Sequence, residues 1–353
     1  MPEYNIATLA DEIKAVLQTS NTLGYVRESR PRRPMIFEEL FPITATEELD
    51  YKFYLQQGGE DVPMALFMSF DSETPLNALP GFGEMFGNLV KVGSKLPLEE
   101  SDIIHYSRLP AAERENFGLS FRAMAERLGN AVREWQEVMA MEIISKGTFT
   151  PIEGQLKGFV DFRVPGEQNL ELTGADVWSD PASNPIEDLN EFMDILDRNN
   201  RLPAGQAIMS GKVFAALKNH PIIRAALSPI GTSAFNVTDA ALKGWFSDNG
   251  LPVPRKYDRP ATVLLPDGKQ KRFKPFPEDK IVFIPDEPLG QTLEGPTVEA
   301  ALSQATFTDS GNISGPWHSV VVEDDPPRIY QKVVATTFIT FPMSQQILIA
   351  KVL

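Results

Sequence analysis

The 353 residues contain no cysteine, which excludes disulfides, thiolate metal sites and cysteine nucleophiles together. Histidine is nearly as scarce. His105, His220 and His318 stand far apart, in no metal-ligand spacing, and each reads as a surface or turn residue. No run of 18 apolar residues exists and the N-terminus has no apolar segment of signal-peptide length. The expectation is a soluble protein made and kept in a cytoplasm, with no membrane partner. Positive charge is also short: 33 Lys and Arg face 48 Asp and Glu, for a formal charge of −15. So acidic a chain is a poor match for a broad nucleic-acid footprint.

Catalytic signatures are missing too. There is no G-x-S-x-G elbow and no Walker loop. The run Gly81-Phe82-Gly83-Glu84-Met85-Phe86-Gly87 has the wrong last spacing for a dinucleotide fingerprint and follows Leu79-Pro80, so its glycines read as a flexible loop. Asp176, Asp180 and Asp188 lack the EF-hand pattern. No enzyme, metal or cofactor is expected.

Proline, by contrast, is abundant: 29 residues, about 8% against a background of about 5%, favouring loops and extended arms. One stretch has none of it. From Ala111 to Lys146 apolar residues recur at helical steps, Phe117, Phe121, Met124, Leu128, Val132, Trp135 and Val138, which is one buried stripe. Glu113, Arg114, Arg122, Glu126, Arg127, Arg133, Glu134 and Glu137 take the other face, suited to water or a polar neighbour. Ser145-Lys146-Gly147 supplies a C-terminal cation and a C-cap glycine. At 1.5 Å per residue this helix is roughly 50 Å long, a beam for the rest to lie across.

Before the beam, Thr8–Leu17 reads as a short amphipathic helix and Tyr25–Pro34 as an extended segment. That segment carries Arg27, Arg30, Arg32 and Arg33, either a solvated linker or a grip on a neighbour. Met64–Phe70 reads as a strand. Asp71–Ile104 has no helical period; the alternation at Leu89–Gly93 and the run Ser101–Tyr106 favour a long hairpin reaching away from the body.

After the beam, Leu156–Val164 is a strand that pairs with Asn169–Leu172 across Pro165-Gly166-Glu167. Asn184, Pro185 and Glu187 make a capping box opening a helix to about Arg198, which buries Leu189, Phe192, Met193 and Leu196. A strand follows at Gln206–Met209, then helices at Gly211–Lys218, Pro221–Leu227 and Thr238–Phe246. Ala261–Phe273 is a hairpin around Pro266-Asp267-Gly268, and Lys280–Ile284 is a strand. The tail is β-rich: His318–Val322, an acidic turn at Glu323-Asp324-Asp325-Pro326-Pro327, Ile329–Phe341 and Gln346–Leu353.

This order, with Lys146-Gly147, Trp178-Ser179-Asp180-Pro181, Asn184-Pro185-Ile186-Glu187-Asp188-Leu189, Ile208-Met209-Ser210 and Asp267-Gly268-Lys269, resembles the lambda-type major capsid protein E family of tailed bacteriophages. The resemblance covers essentially the whole chain. It implies an α+β Hong Kong 97-like capsid fold: an N-arm at 1–40, an E-loop and its base strands at 41–106, a peripheral domain at 107–190 with spine helix 111–146, an axial domain at 191–314, and P-loop strands plus a final axial strand at 315–353. It also implies self-assembly as hexamers and pentamers into an icosahedral virion shell built in the bacterial cytoplasm. The implied partners are further copies, a separate scaffolding protein, a portal protein, a decoration protein and packaged DNA touched non-specifically. Candidate inter-subunit contacts are Arg27, Arg30, Arg32 and Arg33 in the arm, Lys91 and Lys95 in the E-loop, and Glu323, Asp324, Asp325 and Arg328 in the P-loop. Alternatives are an encapsulin-like compartment shell, an enzyme with a lid at 71–104, and a nucleic-acid-binding module using the arginine cluster. The acidic turn pointing into solvent is the alternative for Glu323–Asp325.

Overall fold

The helix Ala111–Lys146, 36 residues long, has the bounds its period predicts. Its last turn closes on Gly147, whose positive φ of 71° lets its N–H return to the Ile143 carbonyl at 2.7 Å. The computed structural model describes residues 20–31, 33–56, 82–98, 100–151, 159–199, 201–228, 237–265, 268–303, 314–324 and 327–353.

Ahead of the long helix come α1 (Ser20–Glu28), α2 (Phe37–Leu40), β1 (Ile43–Ala45), β2 (Asp50–Gln56), β3 (Phe82–Asn88), β4 (Val90–Leu98) and α3 (Glu100–Arg108); the long helix is α4. After it follow β5 (Thr148–Phe149), β6 (Val160–Asp161), β7 (Asn169–Glu171), α5 (Pro185–Arg198), β8 (Gln206–Met209), α6 (Gly211–Asn219), α7 (Pro221–Leu227) and α8 (Asp239–Asp248). Then come β9 (Val253–Lys256), β10 (Ala261–Leu264), β11 (Gln270–Phe273), β12 (Lys280–Ile284), β13 (Gln291–Gly295), α9 (Val298–Ser303), β14 (Trp317–Asp324), β15 (Pro327–Thr340) and β16 (Leu348–Lys351). Two compact units result. The first takes the chain up to Lys52, Phe86–Glu137 and Gln291–Thr340; the second takes Phe53–Met85, Val138–Gly290 and Phe341–Leu353.

In the first unit β15 is the hub. Its 14 residues pair antiparallel with β14, β13 and β4, and β1 adds parallel to β13. Strand alternation sends Val333 and Ala335 to one face with Val92 and Leu96, against Val26 and helix residues Ala125, Leu128 and Val132. Further along, Phe121 and Tyr106 pack on Leu98, Val320 and Ile329. Val334 and Trp317 instead meet Ala300 of α9.

In the second unit the sheet order is β7-β16-β12-β8-β9, with β12 antiparallel to both neighbours. Helices α5 to α8 bury Leu189, Phe192, Phe214, Leu217, Ile223, Leu242 and Phe246 against Ile281, Phe283 and Leu348. Local caps set three of those helices: Ser210, His220 and Thr238 each accept a backbone N–H of the first turn.

Several expectations are corrected. Tyr25–Glu28 is helical, because α1 runs through it. Ser101–Tyr106 belongs to helix α3, and Leu89–Gly93 leads into β4, which lies in the β15 sheet instead of a free-standing hairpin. Val160–Asp161 pairs with Thr148–Phe149, while Asn169–Glu171 pairs parallel with β16, so the turn at Pro165–Glu167 joins two different sheets. At α5 the Asn184 side chain meets Glu187 Oε2 at 2.8 Å and makes no backbone cap, although the helix and its buried Leu189, Phe192 and Leu196 stand as expected. His220 and His318 are buried and hydrogen-bonded; only His105 is exposed. Thr8–Leu17 and Met64–Phe70 lie outside the described residues.

Candidate functional site

Among the described residues, no group of three or more His, Asp and Glu could hold a metal ion, and no helix is long and apolar enough to cross a membrane. The Ser183–His220 contact is structural. Ser183 Oγ lies 3.2 Å from His220 Nε2, but His220 Nδ1 accepts the Ile222 N–H and Nε2 also faces the Asp180 carbonyl at 3.1 Å. That arrangement places the ring proton on Nε2, so the imidazole cannot take a proton from Ser183.

The described candidate contact residues lie in the first unit, on β4, β14 and β15 and in the segment that begins in α1. The β14–β15 pairing brings Glu323 opposite Arg328 and Asp324 opposite Pro327. Glu323 and Arg328 are both exposed, an opposite-charge cross-strand pair, and Arg328 Nη1 lies 3.4 Å from the Tyr330 hydroxyl. Asp325 and the side chain of Asp324 lie outside the described residues. Next door, Lys95 Nζ sits 4.5 Å from the centroid of the Tyr330 ring, a cation–π contact. Lys91 and Lys332 both hold Glu299 of α9, each at 2.7 Å. Burial works against the Glu299 charge, but the hydrogen bonds from Lys332 and Lys91 outweigh it and bring its carboxyl down to about 2.

The arginine cluster divides. Arg30 pairs with Glu38 at 2.7 Å on its own chain, and Arg33 is exposed. Arg27 turns inward. Its Nε donates to the Pro316 carbonyl at 3.4 Å, and its carbonyl accepts from Arg133 Nη2 at 3.3 Å. Burial lowers the Arg27 pKa, and nearby Glu294 opposes that shift. Arg32 lies outside the described residues.

Of the helix stripe, Phe121, Leu128 and Val132 are buried, Met124 is partly so, and Trp135 is corrected to the partly exposed margin. The side chain of Phe117 is not among those described. The polar face is corrected as well, since Arg133 is 3% exposed and Glu137 1%. Arg133 Nη1 donates to Glu294 Oε1 and to Gln136 Oε1; Gln136 Nε2 reaches Glu294 Oε1 at 2.9 Å and Thr337 Oγ1 at 3.1 Å. One signal could have found this. Leu128, Val132, Gln136 and Met139 continue the buried rows that Phe121 and Ala125 begin, and Gln136 is a polar residue on them.

Three comparisons bear on the chain. A family model described as "Phage major capsid protein E" matches residues 19–306. No curated protein matches. Among solved structures, the putative capsid protein of a prophage of E. coli CFT073 gives a TM-score of 0.60 at 16% identity, covering 95% of this chain and 99% of that one. A phage-related protein from Bordetella bronchiseptica RB50 gives 0.57 at 12% identity, covering 94% and 96%. At such identities the likeness is one of fold.

Proposed function

This chain belongs to the phage major capsid protein E family and carries the Hong Kong 97-like capsid fold, and from that premise we propose that it assembles as hexamers and pentamers into an icosahedral shell around double-stranded DNA. The observation that carries this reading is the family match over residues 19–306, which takes in part of the arm, the long helix and most of both units. The parts are assigned accordingly: N-arm to 1–40, E-loop and base strands to 41–106, peripheral domain to 107–190, axial domain to 191–314, and P-loop strands to 315–353. Virion location, assembly in the host cytoplasm, and separate scaffolding, portal and decoration proteins complete the proposal.

Geometry supports a contact role for the β14–β15 tip. Symmetry brings identical copies of such a tip around one axis. Like charges about 8 Å apart in water repel by roughly half a kcal/mol per pair, so an acidic tip needs a cation from a neighbour. Arg328 already faces Glu323 across the two strands, and Asp324 and Asp325, next in sequence, are the residues proposed for that role. Negative-stain microscopy and sedimentation of the expressed chain, alone and with its scaffold, should find capsomers, closed shells or tubes. A chain that stays monomeric under every condition overturns the reading. Within it, Asp324→Lys should impair assembly; particles that form normally and keep their salt sensitivity would remove the tip from the contact set.

A further inference from the structure

One buried carboxylate ties together four segments of the first unit that are far apart in sequence. Glu294 of β13 is 5% exposed and receives Arg133 and Gln136 from α4. Gln136 also holds Thr337 of β15. A Cβ built at Gly315 would lie 3.1 Å from Glu294 Oε2 and 3.9 Å from Arg27 Nε, so the chain passes here only as glycine, at φ +96°. Arg133 then reaches onward to the Arg27 carbonyl. A second staple lies one helical turn along α4. Glu137 accepts the N–H of Ile36 at 3.2 Å and of Phe37 at 2.9 Å, so a carboxylate from a distant helix caps the short α2.

What these staples hold is apolar. Val26, Ile36, Phe37, Leu40 and Phe41 are each at most 5% exposed, yet the segment carrying them contributes only four residues of helix after Glu28 and no strand before Ile43. Residues 26–41 therefore have almost no ladder of their own. The start of α2 within them, the N–H groups of Ile36 and Phe37, is held by a side chain of α4.

We propose that residues 26–41 form a strap latched onto the subunit's own long helix by Arg133–Glu294 and Glu137, and that the strap opens as a unit when either staple is lost. Closed, it keeps Arg27 inside the subunit, unavailable to a neighbour. Open, it uncovers the side chains of Ala125, Leu128, Val132, Val333 and Ala335 that Val26 packs against. The latch is local because an unpaired buried charge strains the elements that touch it while distant ones keep their packing.

Hydrogen exchange of the full-length chain, read by mass spectrometry, tests this. In Glu294→Gln, amides of 26–41 should exchange on the order of a hundredfold faster, since a buried pair is broken, while amides of β8 and β12 stay at parent rates. Unchanged exchange at 26–41 overturns the proposal. So does a rise shared equally by β13, β14 and β15, because the strap would then be no unit of its own. Should Glu294→Gln fail to fold, Glu137→Gln keeps the ion pair and removes only the second staple. It must speed exchange at Ile36 and Phe37 and along the strap for the latch to stand, and parent rates there would sink it.

Discussion

Around Phe283 the second unit buries hydrocarbon. Phe192 lies 5.9 Å from it, ring to ring, in a cluster with Leu189, Phe214, Ile281 and Leu348. Around Glu294 the first unit buries Arg133, Gln136 and Glu137. The difference follows from how each is threaded. The second unit is mostly one continuous run, Val138–Gly290, whose helices α5 to α8 follow one another along the chain. The first is sewn from three separate pieces. Apolar contact is non-directional and does not choose between alternative seatings of a strap or a sheet edge. Charged hydrogen bonds are directional and cost heavily when mismatched, so they fix register where the chain cannot.

The sharpest way to break this comparison is one substitution in each unit, followed by a second change in the first. Arg133→Leu should cost about 3–5 kcal/mol, because Glu294 is left buried and uncompensated. Phe283→Ala should cost a similar amount, about 3–5 kcal/mol, through lost burial and a cavity. The responses to a second change should differ. Adding Glu294→Leu to Arg133→Leu removes the stranded charge and should recover most of the loss in a urea melt. A double variant no more stable than Arg133→Leu would mean that packing, and not charge, holds the site.

A smaller effect separates two glycines inside helices. At Gly129 of α4 an added Cβ would stand 2.6 Å from Ser29 Oγ and 2.7 Å from the Val26 carbonyl, so the helix is glycine there to let the strap approach. Gly129→Ala should destabilise by about 1–3 kcal/mol as overpacking. At Gly244 of α8 a Cβ meets nothing within 4 Å. Gly244→Ala should stabilise by about 0.5–1 kcal/mol, the ordinary helix gain. Thermal melts that give both changes the same sign would erase the distinction between a strapped helix and a free one.

The same contrast decides what could be read from the sequence. In the second unit α5, α6, α7 and α8 and strands β8 and β12 stand within a residue or two of their expected bounds, because caps and amphipathic periods are local signals. In the first unit the sequence around β4 reads as a protruding hairpin, since its partner β15 lies more than two hundred residues away and nothing nearby announces it. Helix α3 was missed in the same stretch. The spine itself was legible, but its face was not fully so. Trp135 is partly exposed while Gln136 and Glu137 are inside. Accordingly Trp135→Ala should cost less than Phe121→Ala, for which a buried aromatic sets about 3–5 kcal/mol. The contact residues were visible only as charges; which of them stay at home, as Arg27 and Arg30 do, is a tertiary fact.

The finest test uses two carboxylates that each bridge two lysines. Glu299 joins Lys91 of β4 to Lys332 of β15 in the first unit, and Asp239 joins Lys218 of α6 to Lys256 of β9 in the second. Hydrogen bonds from Lys218 and then Lys256 bring Asp239 to about 2, the same value that Glu299 reaches against its own burial. A depressed folded pKa contributes stability above the unfolded value and loses it as pH falls through the folded one. The Glu299 contribution is therefore whole above 4.5 and gone near 2, and that of Asp239 is whole above 3.8 and gone near 2. Salt should tell them apart. The side chain of Asp239 is 47% exposed and that of Glu299 19%, and charges in water are screened over about 3 Å at 1 M salt. Melting temperatures of Glu299→Gln and Asp239→Asn, each against the parent from pH 6 to pH 2, should show both gaps closing in the acid window. In 1 M salt at pH 6 the Asp239→Asn gap should vanish, while Glu299→Gln should keep a deficit of up to about 1 kcal/mol, because its pair is partly shielded from ions. A Glu299→Gln gap that is flat across the pH range, or that salt abolishes as readily as the other, would show the first-unit bridge to be an ordinary surface pair.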